Sequence, residues 1–109
     1  GGEMSVTINF RWEIKPEKHT EFLNLMGQAV TVTKIFDACR WMYVTNGEED
    51  AESNKTDFVV RVVGCWDSIE EYKKYFQWRE ELGLHDLANE YATSPPVLTF
   101  LPVFFDCTK

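Results

Sequence analysis

The sequence predicts an α+β fold in the order strand, helix, strand, strand, helix, strand, with helices on one face of a four-stranded antiparallel sheet. Three observations carry this. Residues 5–14 alternate with period two, residues 17–35 carry a helical apolar stripe, and residues 58–66 and 97–105 are apolar runs flanking a second, capped helix.

In the first segment Val6, Ile8, Phe10, Trp12 and Ile14 fall on one face, and Thr7, Asn9, Arg11 and Glu13 on the other. That period marks a strand with one face on a core. Pro16 suits a first helical turn, where its missing N–H costs nothing. Phe22, Leu25, Met26, Ala29, Thr33 and Phe36 then recur at three- and four-residue steps, predicting an amphipathic helix from about Glu17 to Ile35. Residues 38–45 read as a second strand from their aromatic and β-branched content. Residues 46–57 are polar and acidic, and are expected to form a long, mobile, solvated loop.

Residues 58–66, almost wholly apolar, suit a strand buried on both faces. Ser68 followed by Glu71 is a capping-box signature. Ile69, Tyr72, Phe76 and Arg79 follow at helical spacing, and Gly83 ends or kinks that helix before a short segment from Leu84 to Ala92. Pro95 and Pro96 stop any helix, and Pro102 suits an edge strand or a bulge. Two βαβ-like halves of this kind make the split, ferredoxin-like βαββαβ pattern. Helices cover one face of such a sheet, and its other face still carries apolar side chains. Two copies packing those faces together, as a homodimer, is the expected solution.

The bulk numbers exclude several roles. With 109 residues the chain fits one domain, read as 4–109, with Gly1–Glu3 as a cloning remnant before a native Met4. Its 18 acidic and 11 basic residues give a formal charge of -7, which disfavours nucleic acid and anionic lipid as partners. No apolar run reaches the ~18 residues of a membrane span, and no signal peptide is read at the start, so the cytoplasm is the expected location. Cys39, Cys65 and Cys107 are odd in number and widely spaced, which suits free thiols rather than disulfides or a metal site. Phosphate-loop, dinucleotide, zinc-protease and hydrolase motifs are absent from the sequence.

Residues 64–83, GCWDSIEEYKKYFQWREELG, resemble the strand-to-helix signature of the antibiotic biosynthesis monooxygenase-like family. The matching features are Trp66 closing the third strand, Asp67 and Ser68 at the cap, Tyr72, Tyr75, Trp78, Arg79 and Gly83. Pro95 and Pro96 before the last strand also fit, as does the Ile14–Lys18 turn. The resemblance implies a dimeric α/β barrel. Family members include oxygenases that oxidise phenolic or quinol-like compounds without metal or flavin, and relatives that bind and degrade heme.

For the cofactor-free oxygenases the resemblance places Trp66 and Tyr72 at the substrate pocket. A third family position, an asparagine, is Val62 here. For the heme-degrading relatives it places Asn9, Tyr75 and His85 at the positions of an asparagine, a tryptophan and a histidine ligand. The leading expectation is a cofactor-independent monooxygenase of a small electron-rich aromatic. Trp66 and Tyr72, with Phe76, Trp78 and Asn9, would bind the ring; Tyr75 or His85 would handle a proton; Arg79 would offset negative charge. The alternatives are heme as a cofactor, and a non-enzymatic dimeric module that binds a small molecule. The residues also allow plainer readings. Arg79 suits an ion pair with Glu13 or Glu80, Arg61 shares that ambiguity, His85 suits a surface or capping position, and His19 suits an exposed one.

Overall fold

The computed structural model describes residues 4–105. Strand β1 (Val6–Glu13) leads through a single 3-10 turn into helix α1 (His19–Thr33). Strands β2 (Cys39–Glu49) and β3 (Lys55–Trp66) form a hairpin, followed by helices α2 (Ile69–Glu81) and α3 (Leu84–Tyr91) and strand β4 (Val97–Pro102). The sheet order is β2-β3-β1-β4, all antiparallel, so the ferredoxin-like arrangement is the one found. No helix of the described residues is long and apolar enough to cross a membrane.

The register fixes which side chains share a face. Val6 pairs with Trp66, Ile8 with Gly64, Phe10 with Val62 and Trp12 with Val60, and all of these face the helices. Two core clusters fill that side. Trp12, Ile14, Phe22, Met26, Val60 and Tyr91 form one; Val6, Ile8, Trp66, Tyr72 and Tyr75 form the other. Gly64 suits this position, because a Cβ would crowd Met42 Cε and the Trp41 carbonyl oxygen at 3.0 Å each. Cys65 is buried and Cys39 half-buried, both as free thiols, and burial pushes the Cys39 thiol up from its ordinary pKa. Cys107 lies outside the described residues.

The expected long loop at 46–57 is corrected. Both strands run on through it, leaving only Asp50–Asn54 as the connection. The reason is that its polar groups, though largely exposed, are paired across the hairpin. Asn46 Oδ1 lies 2.8 Å from His19 Nε2, and Glu48 accepts from Arg11 Nε and from the Arg61 guanidinium. Asp50 closes the turn by accepting from the Glu52 and Asn54 amides, each at 2.9 Å. Arg61 is thus an ion-pair residue. His19 is held between Asn46 and the ring of Phe58 instead of standing free.

At the start of α2, Ser68 Oγ accepts from the Glu71 amide at 3.1 Å. The reciprocal half of the expected box is replaced, because Glu71 Oε1 accepts from Lys74 instead. Gly83 takes a left-handed φ of 102° and turns the chain between α2 and α3. Pro102 ends β4 on the edge of the sheet, where its missing donor is tolerated.

Candidate functional site

A cavity of about 170 Å³ lies between the helices and the sheet. Phe10 and Trp12 of β1, Met42 of β2 and Val62 of β3 form its floor. Met26, Ala29 and Val30 of α1 stand on one side, and Tyr72, Tyr75, Phe76 and Arg79 of α2 on the other. Leu82, Gly83, Leu84 and Leu87 close the end at the α2–α3 turn. The wall is therefore aromatic and aliphatic, with polar atoms from α2. None of these lining residues is acidic.

Arg79 is the cation of this cavity. Its Nε donates to Tyr75 Oη at 2.9 Å, and its Nη2 donates to the Ala29 carbonyl at 2.9 Å and reaches Thr33 Oγ1 at 3.4 Å. Thr33 Oγ1 spends its own proton on the Ala29 carbonyl at 2.8 Å, so the Tyr75 hydroxyl donates to Thr33 across 3.0 Å. The guanidinium also lies over the Trp78 ring, 4.7 Å from its centroid. Every partner is neutral, which corrects the expected ion pair. Glu13 is taken by Arg11, and Glu80 lies against His85.

Tyr72 is 2% exposed, and among the described residues its hydroxyl has no hydrogen-bond partner. Burial first, then the neighbouring Tyr75, pushes its pKa well above the ordinary tyrosine value, against a smaller opposing pull from Arg79. Tyr72 thus stays protonated near neutral pH and can donate, but does not serve as a base. Its ring stands edge-on to Trp66, at 5.3 Å and 84°.

Tyr72, Tyr75, Phe76 and Arg79, four of the residues expected at the site, come together on this cavity. The other four stand elsewhere. Trp66 is fully buried behind Tyr72 and Tyr75 and does not line the cavity. Trp78 packs on Phe36 and on the outer side of Arg79. Asn9 pairs in register with Val63 and Thr99 on the open face of the sheet, away from the helices. The His85 side chain is 82% exposed, with Nε2 3.3 Å from Glu80 Oε2, because the turn at Gly83 sends it outward. Asn9, Tyr75 and His85 therefore do not converge, and the cavity is small beside the ~300 Å³ and more of ordinary ligand pockets. These residues do not fit a bound heme.

Sequence reading missed Thr33, Met26, Met42 and Leu87. Thr33 had a signal, being a hydroxyl on the otherwise apolar stripe of α1.

No family model matches the chain, and no curated protein matches it in sequence. Solved structures do. A putative antibiotic biosynthesis monooxygenase from Deinococcus radiodurans superposes with TM-score 0.74 at 12% identity, over 95% of this chain and 97% of that one. Rv0793 from Mycobacterium tuberculosis gives 0.73 at 17% identity, over 95% and 99%. A conserved protein from Methanosarcina mazei gives 0.73 at 15% identity, over 91% and 92%. At such identities the likeness is one of fold, and it is the fold the residue resemblance implied.

Proposed function

We propose that this chain is a cofactor-independent monooxygenase acting with O2 on a small electron-rich aromatic of quinol, anthrone or phenol type. The observation that carries the reading is Arg79, a cation set into an apolar, aromatic-walled cavity and held only by neutral groups. The guanidinium is half-buried, so water offsets part of its charge, and an oxyanion entering the cavity would replace that water with a charge-assisted hydrogen bond. A substrate oxyanion is the partner its surroundings leave to be supplied.

The chemistry needs little more. A phenol ionised beside Arg79 is a strong electron donor. Oxidation of phenol to quinone takes up one oxygen atom of O2 and releases the other as water, with all four electrons coming from the substrate. The protein excludes water, holds the ring and stabilises the anion. Arg79 lowers the substrate's pKa, and Tyr72 donates to its oxygen. Tyr75 accepts from Arg79 and donates to Thr33, so its part is to hold the guanidinium. The substrate proton leaves to water, since the cavity is partly open to solvent.

The working unit is a homodimer. On the open sheet face Trp41 and Tyr43 stack at 5.3 Å and are 44% and 50% exposed, while Val97 and Leu101 stand out on the opposite edge strand. The same face carries Arg11, Arg61, Glu13 and Glu48, both signs together, so a two-fold copy can meet it with complementary charge.

Oxygen consumption on a panel of quinols, anthrones and phenols tests the activity. Turnover is expected for at least one of them without added metal or flavin, with Tyr72→Phe about 10²-fold slower. A panel that consumes no oxygen above the uncatalysed rate rejects the proposal.

A further inference from the structure

The cavity also limits what can enter it. An apolar cavity of ~150 Å³ accepts one benzene ring, and this one, partly open to solvent, measures about 170 Å³, so its interior seats one ring. Apart from the flexible Met42, its floor does not yield readily. Trp12 is 1% exposed and tied into the core by Phe10 at 5.1 Å and Phe22 at 5.0 Å, and Val62 sits on the central strand β3. Opening a fused second ring would mean moving packed aromatic side chains, which cores resist. The polar equipment is equally restricted: one guanidinium, the Tyr72 hydroxyl and the Trp12 indole N–H without partners among the described residues, the Tyr75 hydroxyl already paired, and no carboxylate in the lining. The guanidinium is also fixed in place, because α1 holds it through the Ala29 carbonyl and Thr33.

We infer that the site selects single-ring phenols bound as the phenolate, with the oxyanion on Arg79 and the Tyr72 hydroxyl, and rejects two- and three-ring analogues. Thr33 is a positioning residue, acting on the substrate through Arg79. This rests on the cavity being the site proposed above, but it is read by binding, so its failure and that of the oxidative reading can be told apart.

The probe is 4-nitrophenol, whose visible band reports its own ionisation. Bound to the full chain, it is expected to ionise about one pH unit or more below its value in free solution, as a group beside a fixed opposite charge does. Arg79→Met abolishes that displacement, and Thr33→Val reduces it while the probe still binds. In a size series on the unmodified protein, 4-nitro-1-naphthol and anthrone bind at least ~10-fold more weakly. Equal affinity across one, two and three rings overturns the size limit, with no variant needed. An unshifted probe, or tight benzoate binding with none of nitrophenol, overturns the phenolate. Bound, shifted nitrophenol with no oxygen uptake on any phenol supports this inference and removes the oxygenase reading instead.

Discussion

At the scale of single residues, the site is set by which groups are left without a partner. Tyr72 and Arg79 point their polar atoms at the same apolar space, yet their conditions differ. Arg79 is anchored by three neutral acceptors, whereas the Tyr72 hydroxyl has none among the described residues. Removing the Thr33 hydroxyl as Thr33→Val takes away one contact of the anchor and the proton acceptor of Tyr75. We expect KM for a turned-over phenol to rise about 10-fold, on the order of one lost hydrogen bond to a charged group, and the thermal midpoint to fall by a few degrees because the buried Tyr75 hydroxyl loses its acceptor. Steady-state kinetics beside a melting curve separates the two. Some of this was legible early. Tyr72, Tyr75, Phe76 and Arg79 share a helix stripe in the sequence, and they share the cavity. Asn9 was legible too, since the alternation of residues 5–14 had already put it with Thr7, Arg11 and Glu13, on the face away from the helices. Arg79's partners were not, because the Ala29 carbonyl and Thr33 reach it only when α1 docks beside α2.

At the scale of elements, two junctions order the chain. Ser68 caps α2 through the Glu71 amide, so Ser68→Ala should cost about 1 kcal/mol. Urea unfolding should show this as a lower midpoint with an unchanged slope. The other junction is the β2–β3 hairpin, whose length was hidden in the sequence because its acidic composition mimics a loop. Pairing across strands, invisible to composition, makes it sheet. The Arg61 and then the Arg11 hydrogen bonds hold the Glu48 carboxyl below its ordinary value of 4.5. A carboxylate with a lowered folded pKa adds stability that is present above its unfolded pKa and lost as pH falls through the folded one. Stability of the wild type should therefore decline on acidification below about pH 4.5. Glu48→Gln should flatten that decline, as followed by chemical denaturation at stepped pH. A Glu48→Gln profile superimposable on the wild type would show that this pairing adds nothing in solution.

At the scale of the whole molecule, the sheet divides two tasks. One face carries the core and the cavity, and the other carries the stacked Trp41–Tyr43 pair and the mixed charges around Glu48. The alternation of β1 and the order of elements made this division legible, because period two assigns faces without any knowledge of packing. The volume of the hollow was not legible, since it depends on how closely the Met26, Met42 and Leu87 side chains fill the gap. Association through the open face predicts a sedimentation mass of two chains. Trp41→Glu should bring it to one, because a charge placed in an apolar interface is costly. A wild-type mass of one chain at working concentration would remove the homodimer.

The most direct test concerns Arg79, since the reading depends on a cation waiting in an apolar hollow for a substrate oxyanion. The measurement is the oxygen consumption rate of wild type and Arg79→Met on the same turned-over phenol, with folding matched by circular dichroism. The account predicts a fall in kcat of about 10²-fold or more. Equal rates for the two proteins would contradict it.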